Sequence, residues 1–137
     1  LGPRPADELE VFFPHAGVFF VTSVSVSPRY RFQQFGDFAV LHLDRPVSGI
    51  TPAQLRRDGR VPLGNAATIV GYGVTAEDNY DSGLKLSGRV TTAACRPDVG
   101  ADGHICWEYD SAVGPPGSDA NTCYGDSGGP LFVAVDG

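Results

Sequence analysis

The sequence contains no methionine and opens on Leu1. A translated reading frame begins with methionine, so a processed chain or a fragment is expected. Lysine is almost missing as well. Lys85 is the single one, and the nine arginines are scattered apart from Arg56-Arg57 with Arg60 nearby. With no basic stripe to follow a phosphate backbone, no nucleic-acid partner is expected. The balance of charge is acidic, 16 Asp and Glu against 10 Lys and Arg, which favours solubility and names no partner. No apolar run approaches the roughly 18 residues of a spanning helix, so no membrane partner is expected. The three cysteines, Cys95, Cys106 and Cys123, form no Cys-x-x-Cys pair, and no histidine stands at zinc-finger spacing. Neither a metal nor any other cofactor is called for.

Glycine and proline are abundant, 18 and 11 of 137 residues, which favours short strands and turns over long helices. Apolar residues at 42% are too many for a disordered acidic tail. An odd cysteine count in a glycine-rich strand pattern points to a secreted disulfide protein with one partner missing. Three buried thiols in a cytosolic domain are the alternative.

Residues 1–8 read as irregular. From Val18 to Ser27 the pattern alternates, placing Val18, Phe20, Thr22, Val24 and Val26 on one face of a half-buried strand. FAVLHL (38–43) suits a strand buried on both sides, and the proline- and glycine-rich 44–65 a long surface connection or a linker. ATIVGYG (67–73) is a strand ending in a Gly-x-Gly turn. TAEDNYDSG (75–83) is a solvated acidic loop whose spacing fits no calcium loop. LKLSGRVTT (84–92) alternates again, 91–101 is the one stretch able to hold a short helix, and LFVAV (131–135) is a last strand. This is an all-β barrel or sandwich pattern.

GDSGGP (125–130) carries the chemistry. A serine among three glycines, just before a strand, sits where the backbone accepts strained turns and close approach to a substrate. The N–H groups of Gly125 and Ser127 are candidates to stabilise a developing oxyanion, each such donor being worth about 10²–10³-fold in rate. GDSGG also fits the Gly-x-Ser-x-Gly elbow of α/β-hydrolases, but that elbow needs a helix after the serine and a histidine downstream. Here Pro130 and a strand follow, and no histidine does.

NTCYGDSGGPLF (121–132) resembles the nucleophile segment of the chymotrypsin/trypsin-like serine proteases. GDFAVLHLDRPV (36–47) is similar to the segment bearing that family's catalytic aspartate, and TIVGYG (68–73) to its strand ending in Gly-Trp-Gly, with Tyr72 for the tryptophan. The resemblance implies two six-stranded antiparallel β-barrels, incomplete here. Residues 1–48 would be the latter part of the first barrel, 49–66 the connection between barrels, and 67–137 most of the second. It implies Ser127 as nucleophile, Asp37 as the carboxylate orienting the histidine, and Gly125 and Ser127 as oxyanion donors. Asp126 would be the carboxylate linked to zymogen activation. Asn121 would stand at the base of the specificity pocket and Tyr124 at its entrance. Asn121 occupies the place of the aspartate of Arg- and Lys-specific members, favouring a neutral side chain. Cys95 and Cys106 would close a short loop, and a Cys123 partner would lie beyond Gly137. A further family disulfide would join positions 67 and 133, here Ala67 and Val133. Implied partners are a polypeptide substrate and protein inhibitors, and the implied location is extracellular.

The catalytic histidine has no match. His15 is the only histidine before Asp37 and lacks the family's Ala-Ala-His-Cys context; a turn or surface position is expected for it, and His42 is expected to face outward. His104 has no triad context. The expectation is a secreted serine endopeptidase acting through an acyl-enzyme on Ser127, present as a catalytically incomplete piece. A non-catalytic homologue acting as a binding or regulatory module is the alternative.

Overall fold

The computed structural model describes residues 4–31, 36–57, 61–99, 103–109 and 119–134. The chain divides into two compact units, 1–57 and 58–137. Each is built on an antiparallel sheet, and among the described residues the only helical element is a 3-10 turn, Ala6–Glu8. The all-β expectation holds.

The first unit is a three-stranded sheet in the order β1 (Glu10–Phe13), β2 (Gly17–Val26), β3 (Ala39–Leu43). Strand β1 lies where no strand was anticipated. It turns into β2 through Pro14-His15-Ala16, with Ala16 N–H donating to the Phe13 carbonyl at 3.0 Å. The alternation of β2 is present, but the buried face is the opposite of the expected one. Phe19 and Val21 are the buried residues, whereas Val18, Phe20 and Val26 are exposed. The cause is twofold. Phe13 meets Phe19 edge-on, with ring centroids 5.4 Å apart, and the Arg45 guanidinium covers the Phe19 ring at 4.1 Å. A register shift between Val21 and Ser23 then bulges the strand, so the inward parity changes and Val24 becomes the half-buried residue. A strand apolar at both parities cannot reveal this from its pattern.

Arg45 also donates to the Val18 carbonyl (2.6 Å) and pairs with Asp44, whose carboxylate accepts from the Phe20 N–H at 3.1 Å. The expectation that 38–43 is buried on both sides fails. Strand β3 is the edge of the sheet, and Phe38, Val40 and Leu41 are exposed. Apolar composition reports what a strand can bury, and among the described residues of this unit no second sheet covers this one.

The second unit orders its strands β6 (Cys106–Trp107), β5 (Leu86–Ala93), β4 (Ala66–Gly71), β7 (Leu131–Val133). Strands β4, β5 and β7 occupy segments read as strands from the sequence. The core is Ala67, Ile69 and Val90, with Trp107, Ala120, Leu131 and Val133 packed around it. Ala67 and Val133 are direct partners across β4 and β7, so the two positions of the absent family disulfide do face each other. No short helix forms in the described part of 91–101: β5 runs to Ala93, and a turn follows with Val99 N–H donating to the Arg96 carbonyl at 3.0 Å. Thr92 explains the extension. Its buried hydroxyl donates to the Pro62 carbonyl (2.6 Å) and accepts from the Asn65 N–H (3.0 Å), which holds the strand extended.

Ile69 is the largest of the three core residues. Ile69→Ala is expected to lower the stability of this unit by about 2–4 kcal/mol, read as a reduced urea midpoint in the fluorescence of Trp107.

Candidate active site

The segment Cys123–Gly129 consists of two consecutive turns sharing Asp126. Asp126 N–H donates to the Cys123 carbonyl (3.1 Å), and Gly129 N–H donates to the Asp126 carbonyl (2.9 Å). The third residue of each turn is a glycine at positive φ, Gly125 at 94° and Gly128 at 86°. That geometry is the reason glycine flanks the serine on both sides, since side chains rarely adopt it. Ser127 is the second residue of the second turn and is exposed. Among the described residues the N–H groups of Gly125 and Ser127 donate to no backbone carbonyl.

The double turn is fastened to the end of β4 by the Asp126 side chain. One carboxylate oxygen accepts from Gly73 N–H at 2.8 Å, the other from Cys123 N–H at 2.9 Å. Val74 N–H adds a bond to the Tyr124 carbonyl at 2.9 Å. The approach is close enough that a Cβ on Gly71 would stand 1.9 Å from the Asp126 carboxylate, and one on Gly73 2.6 Å from the Tyr124 carbonyl. Gly71 and Gly73 are thus part of the site, a role sequence reasoning missed. The Gly-Tyr-Gly spacing at the end of β4 was the signal for it.

Asn121 is exposed, and its side-chain oxygen accepts from Thr122 N–H at 3.0 Å. It lines a cavity of about 770 Å³ together with Ile69, Leu86, Trp107, Tyr109 and Leu131. Ser127 and Tyr124 are not among the lining residues. Tyr124 is exposed, and its hydroxyl donates to Glu77 at 3.4 Å. Cys95 and Cys106 are joined in a disulfide, and Cys123 is free and half-buried. Asp37 belongs to the first unit, exposed just ahead of β3. His15 lies exposed in the β1–β2 turn, His42 exposed on β3, and His104 exposed ahead of Cys106.

The acidic loop 75–83 is closed on itself. Asp81 accepts from the Thr75 hydroxyl (2.5 Å) and the Thr75 N–H (2.9 Å), and Asn79 donates to the same hydroxyl at 2.7 Å. The Thr75 hydroxyl, and then its N–H, hold the Asp81 carboxyl below the ordinary 3.8.

The Trypsin family matches residues 9–136. A protein named Trypsin from Saccharopolyspora erythraea is 33% identical over 116 residues, which make up 82% of this chain and 51% of the relative. The chain therefore spans about half the length of that curated relative. No solved structure gives a significant match.

Two outcomes follow from the geometry. Asp126→Ala leaves the Gly73 and Cys123 N–H groups without an acceptor and is expected to cost about 2–3 kcal/mol in a urea titration, with Asp126→Asn costing less. The Asp81 carboxyl should titrate below 3.8 by NMR, and Thr75→Val should move it back up. Because the lowered pKa favours the ionised form, the loop's contribution to stability is complete above 3.8 and is lost as pH falls through the folded value.

Proposed function

Since this chain belongs to the trypsin family of serine proteases, we propose that Ser127 is the nucleophile of a serine endopeptidase. The observation that carries the reading is the exposed Ser127 in a glycine-built double turn, with the Gly125 and Ser127 N–H groups left undonated among the described residues. In the reaction the Ser127 Oγ attacks the carbonyl carbon of the scissile peptide bond while its proton passes to an imidazole base. The carbonyl oxygen takes the negative charge and is met by the Gly125 and Ser127 N–H groups. The C–N bond then breaks, the amine leaves with the proton, and water hydrolyses the Ser127 ester.

Asp37 is assigned the role of orienting that imidazole and stabilising its cation, without itself taking the proton. None of His15, His42 and His104 is assigned as the base, because none has the sequence context for it. Asn121, on the wall of the cavity, is assigned to the base of the substrate side-chain pocket, and its neutral carboxamide favours an uncharged substrate residue. Tyr124 is assigned to the pocket entrance. Asp126 is assigned the activation-linked role, in which its carboxylate would exchange the Gly73 and Cys123 N–H groups for a new ammonium partner. The first unit corresponds on this reading to the latter part of one barrel and the second unit to most of another. The disulfide supports an extracellular setting. Polypeptides are the substrates, and protein inhibitors are expected among the partners.

The test is labelling by a fluorophosphonate probe. A whole protein of the length of the relative should be labelled at Ser127 after activation, and Ser127→Ala should abolish the label. The 137 residues by themselves should take up none, lacking the base. A whole protein that binds polypeptides yet resists the probe would instead assign the chain to a non-catalytic binding or regulatory role.

A further inference from the structure

The chain carries ten Lys and Arg residues, each a point at which a basic-directed endopeptidase can take hold. Such an enzyme binds its substrate as an extended strand, so the segment must be accessible and released from its own ladder. The fold protects most of the ten. Arg4, Arg45 and Arg96 each precede a proline, whose ring crowds the bond to be cut and whose nitrogen carries no hydrogen. Arg29 lies in a closed turn: Tyr30 N–H donates to the Ser27 carbonyl at 3.1 Å and Arg29 N–H to the Ser27 hydroxyl at 3.3 Å. Arg31 is held in a β-bridge. Lys85 adjoins Leu86, which pairs with Gly71, and Arg89 pairs with Thr68 inside β5. Arg60 lies outside the described residues. Arg56 and Arg57 remain.

This pair stands in a stretch made for cleavage. Residues 51–57 belong to no helix or strand and are all exposed, Leu55 to 80%. No backbone group of 50–55 joins a backbone hydrogen bond among the described residues. The stretch also ends the first compact unit, so the pair sits at the boundary between the two. Asp37 belongs to one unit and Ser127 to the other. All three cysteines fall in the second, and the Cys95–Cys106 bridge closes within it. No disulfide within this chain therefore spans the boundary.

We propose that the Arg56-Arg57 pair is a site of regulatory limited proteolysis, cut by a separate endopeptidase that takes an arginine, and that the cut switches the enzyme off. Water adds across the C–N bond after the arginine, leaving a carboxylate on it and an ammonium group on the next residue. The agent is a second enzyme, because Asn121 gives this chain's own pocket a preference for an uncharged side chain. The switching half rests on the assignment of Asp37 and Ser127 to one reaction. Once the bond is broken, nothing covalent within this chain keeps that carboxylate with the nucleophile.

Limited digestion of the 137-residue chain with trypsin, followed by intact mass, tests the site. The first products should end at Arg56 or Arg57. The Arg56→Gln, Arg57→Gln double variant should stay intact at least about tenfold longer, because the other described sites wait for local opening. Arg89→Gln should be cut as fast as the parent. A first cut elsewhere, or a double variant cut at the parent's rate, would overturn the site. In a whole protein of the length of the relative, fluorophosphonate labelling at Ser127 should fall in step with the cut, and the double variant should keep its label. Labelling that survives a complete cut would overturn the switch. A whole protein that takes no label even before digestion would overturn the nucleophile instead, and the mass readout still judges the site by itself.

Discussion

A single carboxylate organises the candidate site. Asp126 closes the first of two turns and opens the second with its backbone, while both side-chain oxygens are spent on N–H groups, one from Gly73 just past β4 and one from within its own segment. A carboxylate acceptor makes such bonds stronger than neutral ones and satisfies the Gly73 and Cys123 N–H groups. Everything around it follows from proximity. Gly71 and Gly73 have no side chains because the carboxylate and the Tyr124 carbonyl occupy that space. Ser127 is exposed because the turn that begins at Asp126 carries it outward.

The rest of the second unit serves as a frame for that clasp. Strand β4 is its central member, pairing with β5 on one side and β7 on the other. The segment that contains the serine leaves the turns directly into β7, so both ends of the site are tied to the same strand. The Ala67–Ile69–Val90 cluster lies along this strand and its β5 partner. Packing, ladder and carboxylate clasp therefore act on one short length of chain.

What could be read from the sequence was mainly what is encoded locally. Glycine spacing around Ser127 announced a strained turn, because the torsional demand falls on the residue itself. The strands β4, β5 and β7 were legible from alternation and from their glycine and proline boundaries. The inward face of β2 was not, since Val18, Phe19, Phe20 and Val21 offer apolar side chains at both parities and only the partners, Phe13 and Arg45, decide between them. The exposure of β3 was hidden for a related reason. An apolar run states a capacity for burial, and the neighbours needed to fulfil it are a property of the assembled sheet. The reach of Asp126 to Gly73 spans 53 positions and leaves only a faint trace, the pair of glycines at the end of β4.

The double turn also bears on what the hexapeptide GDSGGP can tell a reader of sequences. Gly125 and Gly128 answer to torsion, and Asp126 to the donors it must satisfy. The hydroxyl of Ser127 alone meets no demand from the fold: it is exposed and bonded to nothing among the described residues. Most of the motif is thus a record of backbone shape. A homologue with another residue in place of the serine would be held to nearly the whole string by its folding, with one letter at liberty to drift.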